Sequence, residues 1–112
     1  MFPLTLDLPD LATRLRSGTL NLHGFIADLE AYFRRREPAV LAFVPEPERF
    51  ARLHAAAETL LATYPDPAAR PPLFGIPIAV KDIFHVDGLP TQAGSRLPPR
   101  LTSTGSRLVS AC

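Results

Sequence analysis

Tryptophan is absent from this sequence, and cysteine, methionine and lysine occur once each, as Cys112, Met1 and Lys81. A lone cysteine forbids an internal disulfide and excludes the disulfide-stapled scaffold of small secreted domains. Long apolar runs are missing too. None approaches the roughly 18 residues of a membrane-spanning helix, so no membrane partner is expected. Neither sign of charge is in excess: 12 Lys and Arg face 11 Asp and Glu, a formal charge of +1. No overall field therefore draws the chain to nucleic acid. The opening Met-Phe-Pro-Leu lacks the basic and then apolar pattern of a signal peptide, and the expected compartment is the cytoplasm.

What is present is a chain of 112 residues with 46% hydrophobic and 21% charged side chains, enough for one modest core. Its 13 prolines punctuate three helical patterns. Asp7 is placed to cap a helix that starts near Pro9, buries Leu8, Leu11, Ala12 and Leu15, and ends at Gly18. A second helix is predicted after Asn21, with Leu22, Phe25, Ile26, Leu29, Tyr32 and Phe33 on one face and Pro38 preventing its continuation. Arg34, Arg35 and Arg36 then read as a solvated helix end, where the dipole favours cations. A third helix opens at Pro47 or Glu48, carries Phe50, Leu53, Ala57, Leu60, Leu61 and Tyr64, and stops at Pro65. His54 sits at the edge of that stripe and reads as a packed or half-exposed side chain.

The remaining segments read as extended. Val40 to Val44 suits a brief buried strand or an extended link closed by Pro45 and Pro47. Residues 65–72 form a proline-rich connector without regular hydrogen bonding. Ile76 to Val80 is β-branched and apolar without alternation, the pattern of a strand covered on both faces, and Phe84 to Val86 reads as a second short strand ending in the turn Asp87-Gly88. The expected class is thus α/β: N-terminal helices followed by the first strands of a mixed sheet sandwiched by helices.

Lys81 stands at the end of the longer expected strand. Burial there would disfavour its charged form, and lysine, unlike arginine, can then accept a proton. The structural alternative is that Lys81 caps the strand, pairs with Asp82 and reaches solvent along its stem. Periodicity alone favours that simpler reading, and position does not decide between the two. The tetrapeptide Ile78-Ala79-Val80-Lys81 looks like the lysine strand of protein kinases, but the glycine-rich loop that should precede it is absent, and a Walker loop also fails. His23, His54 and His85 lie far apart with no partner spacing, so neither a metal site nor a cofactor is expected.

The run PPLFGIPIAVKDIFHVDGLPTQAGS resembles the amidase signature family, whose members carry G-I-P-x-x-V-K-D followed by G-x-P-T-x-x-G-S. Gly75, Ile76, Pro77, Val80, Lys81 and Asp82 match the first part, and Gly88, Pro90, Thr91, Gly94 and Ser95 match the second. The helical half is similar to the family's N-terminal region, so the likeness spans Leu8 to Pro99. It fades from Leu101, where TSTGSRLVSAC lacks the helix and A-G-A turn of the family. On this basis residues 1–112 are the N-terminal part of a single amidase domain: a helical region 1–64, the connector 65–72, a lysine-bearing strand and loop 73–100, and a divergent tail 101–112.

The resemblance implies an amide hydrolase working through an acyl-enzyme, with a triad of lysine, a serine on a cis peptide and a nucleophilic serine. Lys81 takes the base role, and Asp82, Thr91, Gly94 and Ser95 shape the loop beside it. Asp82 is open to two readings, a partner that orients the lysine or a carboxylate satisfied by backbone N–H groups. The family places both serines beyond Cys112, so the expectation is a truncated fragment, inactive alone, of an enzyme that takes a small-molecule amide. Ser95, Ser103, Ser106 and Ser110 lack the family's serine context. Exposed sheet surface would favour self-association. The alternatives are a helical protein-interaction module, which leaves both motifs unexplained, and the A-type subunit of a tRNA-dependent amidotransferase.

Overall fold

The structure is a computed structural model that describes residues 5–97. Those residues hold three α-helices, α1 (Leu8–Ser17), α2 (Leu22–Val40) and α3 (Arg49–Thr63), and a 3-10 turn at Pro67–Ala69. The chain divides at Pro77–Ile78 into two compact units.

Local chemistry sets the helix ends. The Asp7 carboxylate accepts from the Asp10 N–H at 2.9 Å, Pro9 occupies the first turn, and Gly18 closes α1 with φ 81. Asn21 repeats the device for α2, accepting from the Gly24 N–H at 2.8 Å. Glu48 precedes α3 without a capping bond from its side chain.

Two features of α2 correct the expectation. Pro38 does not end the helix, which runs to Val40 and stops at Leu41, a non-glycine residue at φ 47 whose N–H reaches Glu37 O at 2.8 Å. One missing N–H so near the C-terminus removes a single ladder bond, which the last turn tolerates. The Arg34 to Arg36 cluster therefore precedes the last turn instead of ending the helix. Arg34 pairs with Glu30 and the Arg35 guanidinium lies 5.7 Å from the Tyr32 ring.

The core of the first unit is Leu15, Leu22, Phe25, Ile26, Phe50, Ala57 and Phe74, flanked by Leu29, Phe33, Leu53, Leu60, Leu61 and Ile76. Each fully buried large side chain contributes about 1.5–3 kcal/mol of transfer free energy. The helical stripes supply this core as expected, apart from Leu8 and Tyr32, which remain exposed. Phe74 comes instead from the segment after the connector. It meets Tyr64 edge-on at 6.3 Å, and the Arg70 guanidinium lies 4.5 Å over its ring.

The connector is more ordered than its composition suggests. Asp66 accepts from the Ala68 N–H at 3.0 Å and starts the 3-10 turn. Arg70 then donates from Nε to Tyr64 O at 3.1 Å, and from Nη1 to Arg16 O at 3.3 Å and Leu15 O at 3.5 Å. Its guanidinium thus ties the end of α3 to the last turn of α1, where Leu15 O also accepts from the Gly18 N–H at 3.3 Å.

The mixed sheet is not formed: no β-strand occurs among the described residues, and the α/β expectation gives way to a helical first unit. A strand exists only through a ladder with a neighbour, and an isolated apolar run with Pro77 inside it has none. Ile76 packs on the helical core, while Ile78 and Val80 are exposed. Val40 to Val44 is likewise neither strand nor buried. Its backbone is held by side chains, Glu37 Oε1 accepting from Phe43 N–H at 2.8 Å and Arg49 donating to Val44 O at 2.5 Å. No helix among them is long and apolar enough to cross a membrane. Ser103, Ser106, Ser110, Cys112 and the divergent tail lie outside the described residues.

Candidate functional site

Lys81 and the loop residues expected to accompany it all fall in the second unit, where turns replace strands. Lys81 O accepts from Phe84 N–H at 3.0 Å and Val86 O from Leu89 N–H at 3.1 Å, with Gly88 at φ 81 in the second turn. A third turn, Gln92 O with Ser95 N–H at 2.9 Å, carries Ala93 at φ 51 and Gly94 at φ 73. Two consecutive left-handed residues turn the backbone sharply, which glycine permits and alanine resists.

Asp82 links the two motif halves. Its backbone carbonyl accepts from Ala93 N–H at 2.9 Å and its carboxylate from Gln92 N–H at 3.2 Å. Of the two readings open for Asp82, the backbone-satisfied carboxylate is the one observed. Lys81 is exposed and makes no ion pair with Asp82 among the described residues. The doubly covered strand that would strip water from its ammonium is absent, so the burial argument for Lys81 does not hold in this chain.

A second tie runs through Thr91, 3% exposed and the only buried polar residue of the described chain. Its Oγ1 donates to Phe84 O at 3.4 Å and lies 3.1 Å from His85 Nδ1. With the hydroxyl proton on Phe84 O, the imidazole donates its own proton to Oγ1. Ser95 Oγ accepts from Leu97 N–H at 3.2 Å and holds the end of the loop. Asp82, Thr91, Gly94 and Ser95 thus belong to one small hydrogen-bonded loop, with Lys81 directly before its main tie.

One contributor to the loop, His85, and two contacts elsewhere in the chain escaped the sequence reading. His85 pairs with Thr91, and its position between the two motifs was the available signal. Gly75, the first motif residue, has φ 74, and a β-carbon on it would stand 2.7 Å from Leu22 Cδ1. The motif glycine is needed where the backbone touches the helical core. His23 and His54, 31 residues apart, meet with their Nδ1 atoms 2.8 Å apart. No periodicity of one helix announces a contact between two.

The comparisons with known proteins bear on the same segment. The Amidase family profile matches residues 30–109. A 2-amino-5-chloromuconic acid deaminase of Comamonas testosteroni is 38% identical over 91 residues, covering 80% of this chain and 19% of that protein. The A subunit of a glutamyl-tRNA(Gln) amidotransferase from Chloroflexus aurantiacus is 51% identical over 45 residues, 36% of this chain and 9% of the relative. Its counterpart from Oleidesulfovibrio alaskensis is 33% identical over 90 residues, 80% of this chain and 18% of the relative. The chain thus spans a fifth or less of the length of these relatives, and no solved structure matches it. The profile runs through both halves of the loop that Asp82 ties together, and by that match this chain belongs to the amidase family.

Proposed function

We propose that this chain supplies the lysine-bearing part of an amide-hydrolase active site. The observation that carries the reading is the tie of Asp82 to Gln92 and Ala93, which draws the two family motifs into one loop with Lys81 at its edge. In the reaction, Lys81 Nζ accepts a proton relayed from the nucleophilic serine through the bridging serine. The freed Oγ attacks the amide carbonyl, the C–N bond breaks as the amine leaves with a proton, and water hydrolyses the acyl ester. Backbone N–H groups of a glycine-rich turn hold the oxyanion. The two serines are supplied by the longer enzyme of which this segment is the N-terminal part, so the 112-residue chain alone has no turnover.

The proposed substrate is a small-molecule amide. The 51% identity to the A-type amidotransferase chain over 45 residues favours a second reading, in which the amide cleaved is the ammonia donor of a tRNA-dependent amidotransferase. The interaction-module reading loses its footing, because family membership accounts for both motifs and that reading for neither.

The test is a turnover assay with aryl and alkyl amides on the complete enzyme. Lys81→Met and Lys81→Arg should both abolish hydrolysis, the second because guanidinium does not give up its proton at working pH. Undiminished turnover in Lys81→Met would remove the proposal. Hydrolysis by the 112-residue chain that Lys81→Ala abolishes would refute the absence of turnover.

A further inference from the structure

His23 and His54 form a contact that the amidase reading does not use. His23 lies in the first turn of α2 and His54 in the middle of α3, and both rings are partly buried where these helices pack. The ring planes differ by 13° and the centroids are 5.1 Å apart. That separation equals the 2.8 Å between the nitrogens plus the two ring radii. The rings are therefore head to head and nearly coplanar, not face to face. Both Nδ1 atoms lie on the line between centroids, the alignment of a linear N–H···N hydrogen bond.

Such a bond fixes a count of protons. One proton must occupy the space between the two Nδ1 atoms, and the facing nitrogen must offer a lone pair. With both rings neutral, one is the Nδ1–H tautomer and the other the Nε2–H tautomer. With one ring protonated, the cation donates from Nδ1 to its neutral partner. With both protonated, two N–H groups point at each other and the bond cannot form.

Within one helical turn of either ring the only carboxylate is that of Glu58. Neither imidazole has an ion pair among the described residues. The acidic groups at helical spacing are Glu58 on α3, one turn beyond His54, and Glu30 on α2, two turns beyond His23 and already paired with Arg34. The positive end of the α2 dipole also opposes a cation at His23. The collinear lone pairs suit a shared proton better than a tetrahedral cation, whose bonds would need to converge at an angle.

We propose that His23 and His54 act as a proton-counting clasp between α2 and α3, closed while the pair holds up to three ring protons and opened by the fourth. Protonation of both rings then loosens the α2–α3 contact. The stabilisation is present at the alkaline side and lost as pH falls.

The test is thermal unfolding of the 112-residue chain in a series of buffers from alkaline to acid, beside His23→Asn, whose amide can replace Nδ1 as donor or acceptor toward His54 in either protonation state. The wild-type melting temperature should fall on acidification, and the variant should lose most of that fall. An equal fall in both would overturn the proposal. Imidazole nitrogen resonances of the wild-type chain read the same event without a variant. At the alkaline end one Nδ1 should be protonated and the other not, with a coupling across the bond that disappears in acid. Two rings that titrate independently, or a coupling that survives when both are imidazolium, would also overturn it.

Discussion

The Asp82 carboxylate accepts a hydrogen bond from the backbone N–H of Gln92, ten residues further on, at 3.2 Å. The adjacent Ala93 N–H binds the carbonyl of the same aspartate at 2.9 Å. One residue therefore closes the loop by two routes, and only one of them depends on its side chain. Asp82→Ala should speed hydrogen exchange at Gln92 several-fold, in line with about 1 kcal/mol for one partly solvated bond, while Ala93 keeps most of its protection. Asp82→Asn, which retains an acceptor oxygen, should stay close to wild type. Equal exchange at Gln92 in the alanine variant would show that the carboxylate is not what holds the loop.

Lys81 is exposed and unpaired among the described residues, so its removal should leave the structure alone. Lys81→Met is expected to change the unfolding free energy of the 112-residue chain by less than about 0.5 kcal/mol. The same change in the complete enzyme should abolish turnover. A marked loss of stability in the chain would reassign the lysine to a structural role.

Gly75, Gly88 and Gly94 all have positive φ, but only Gly75 lacks room. Gly88→Ala and Gly94→Ala should cost about 1 kcal/mol each from backbone strain. Gly75→Ala adds the contact with Leu22 and should cost about 2–3 kcal/mol or more, read from denaturant midpoints. Similar losses at all three positions would mean that Leu22 moves aside freely.

Arg70 holds three backbone carbonyls and covers the Phe74 ring. Arg70→Lys keeps the charge but loses the fork and the flat contact with the ring, and should lower stability by about 1–3 kcal/mol. The checking measurement is the melting temperature. A shift within error would mean that charge alone secures the connector.

Leu41 ends α2 at φ 47 and is 78% exposed, a left-handed leucine that buries little in return. Leu41→Gly should raise stability by about 0.5–1 kcal/mol, because glycine adopts this conformation without strain. A loss of stability on urea unfolding would assign the leucine side chain a packing role in solution.

The boundaries of α1 and the start of α2 could be read from Asp7, Gly18 and Asn21, because capping bonds join residues three apart and need nothing from the rest of the fold. The core faces were legible for the same reason, since helical periodicity is a property of a single segment. The order of Lys81, Asp82, Thr91, Gly94 and Ser95 along the chain was legible as a family pattern, whereas the bonds from Asp82 to Gln92 and Ala93 join residues ten and eleven apart that no local rule pairs. Tertiary structure decided what depends on a partner. Ile76 to Val80 has strand composition but no ladder to join, so Ile76 went to the helical core and Ile78 and Val80 to the surface. Phe74 became core because Arg70 and Tyr64 pack around it, and Pro38 stayed helical because one lost bond near a helix end is tolerated. His23 found His54 because two helices packed together, a meeting that no spacing within either one encodes.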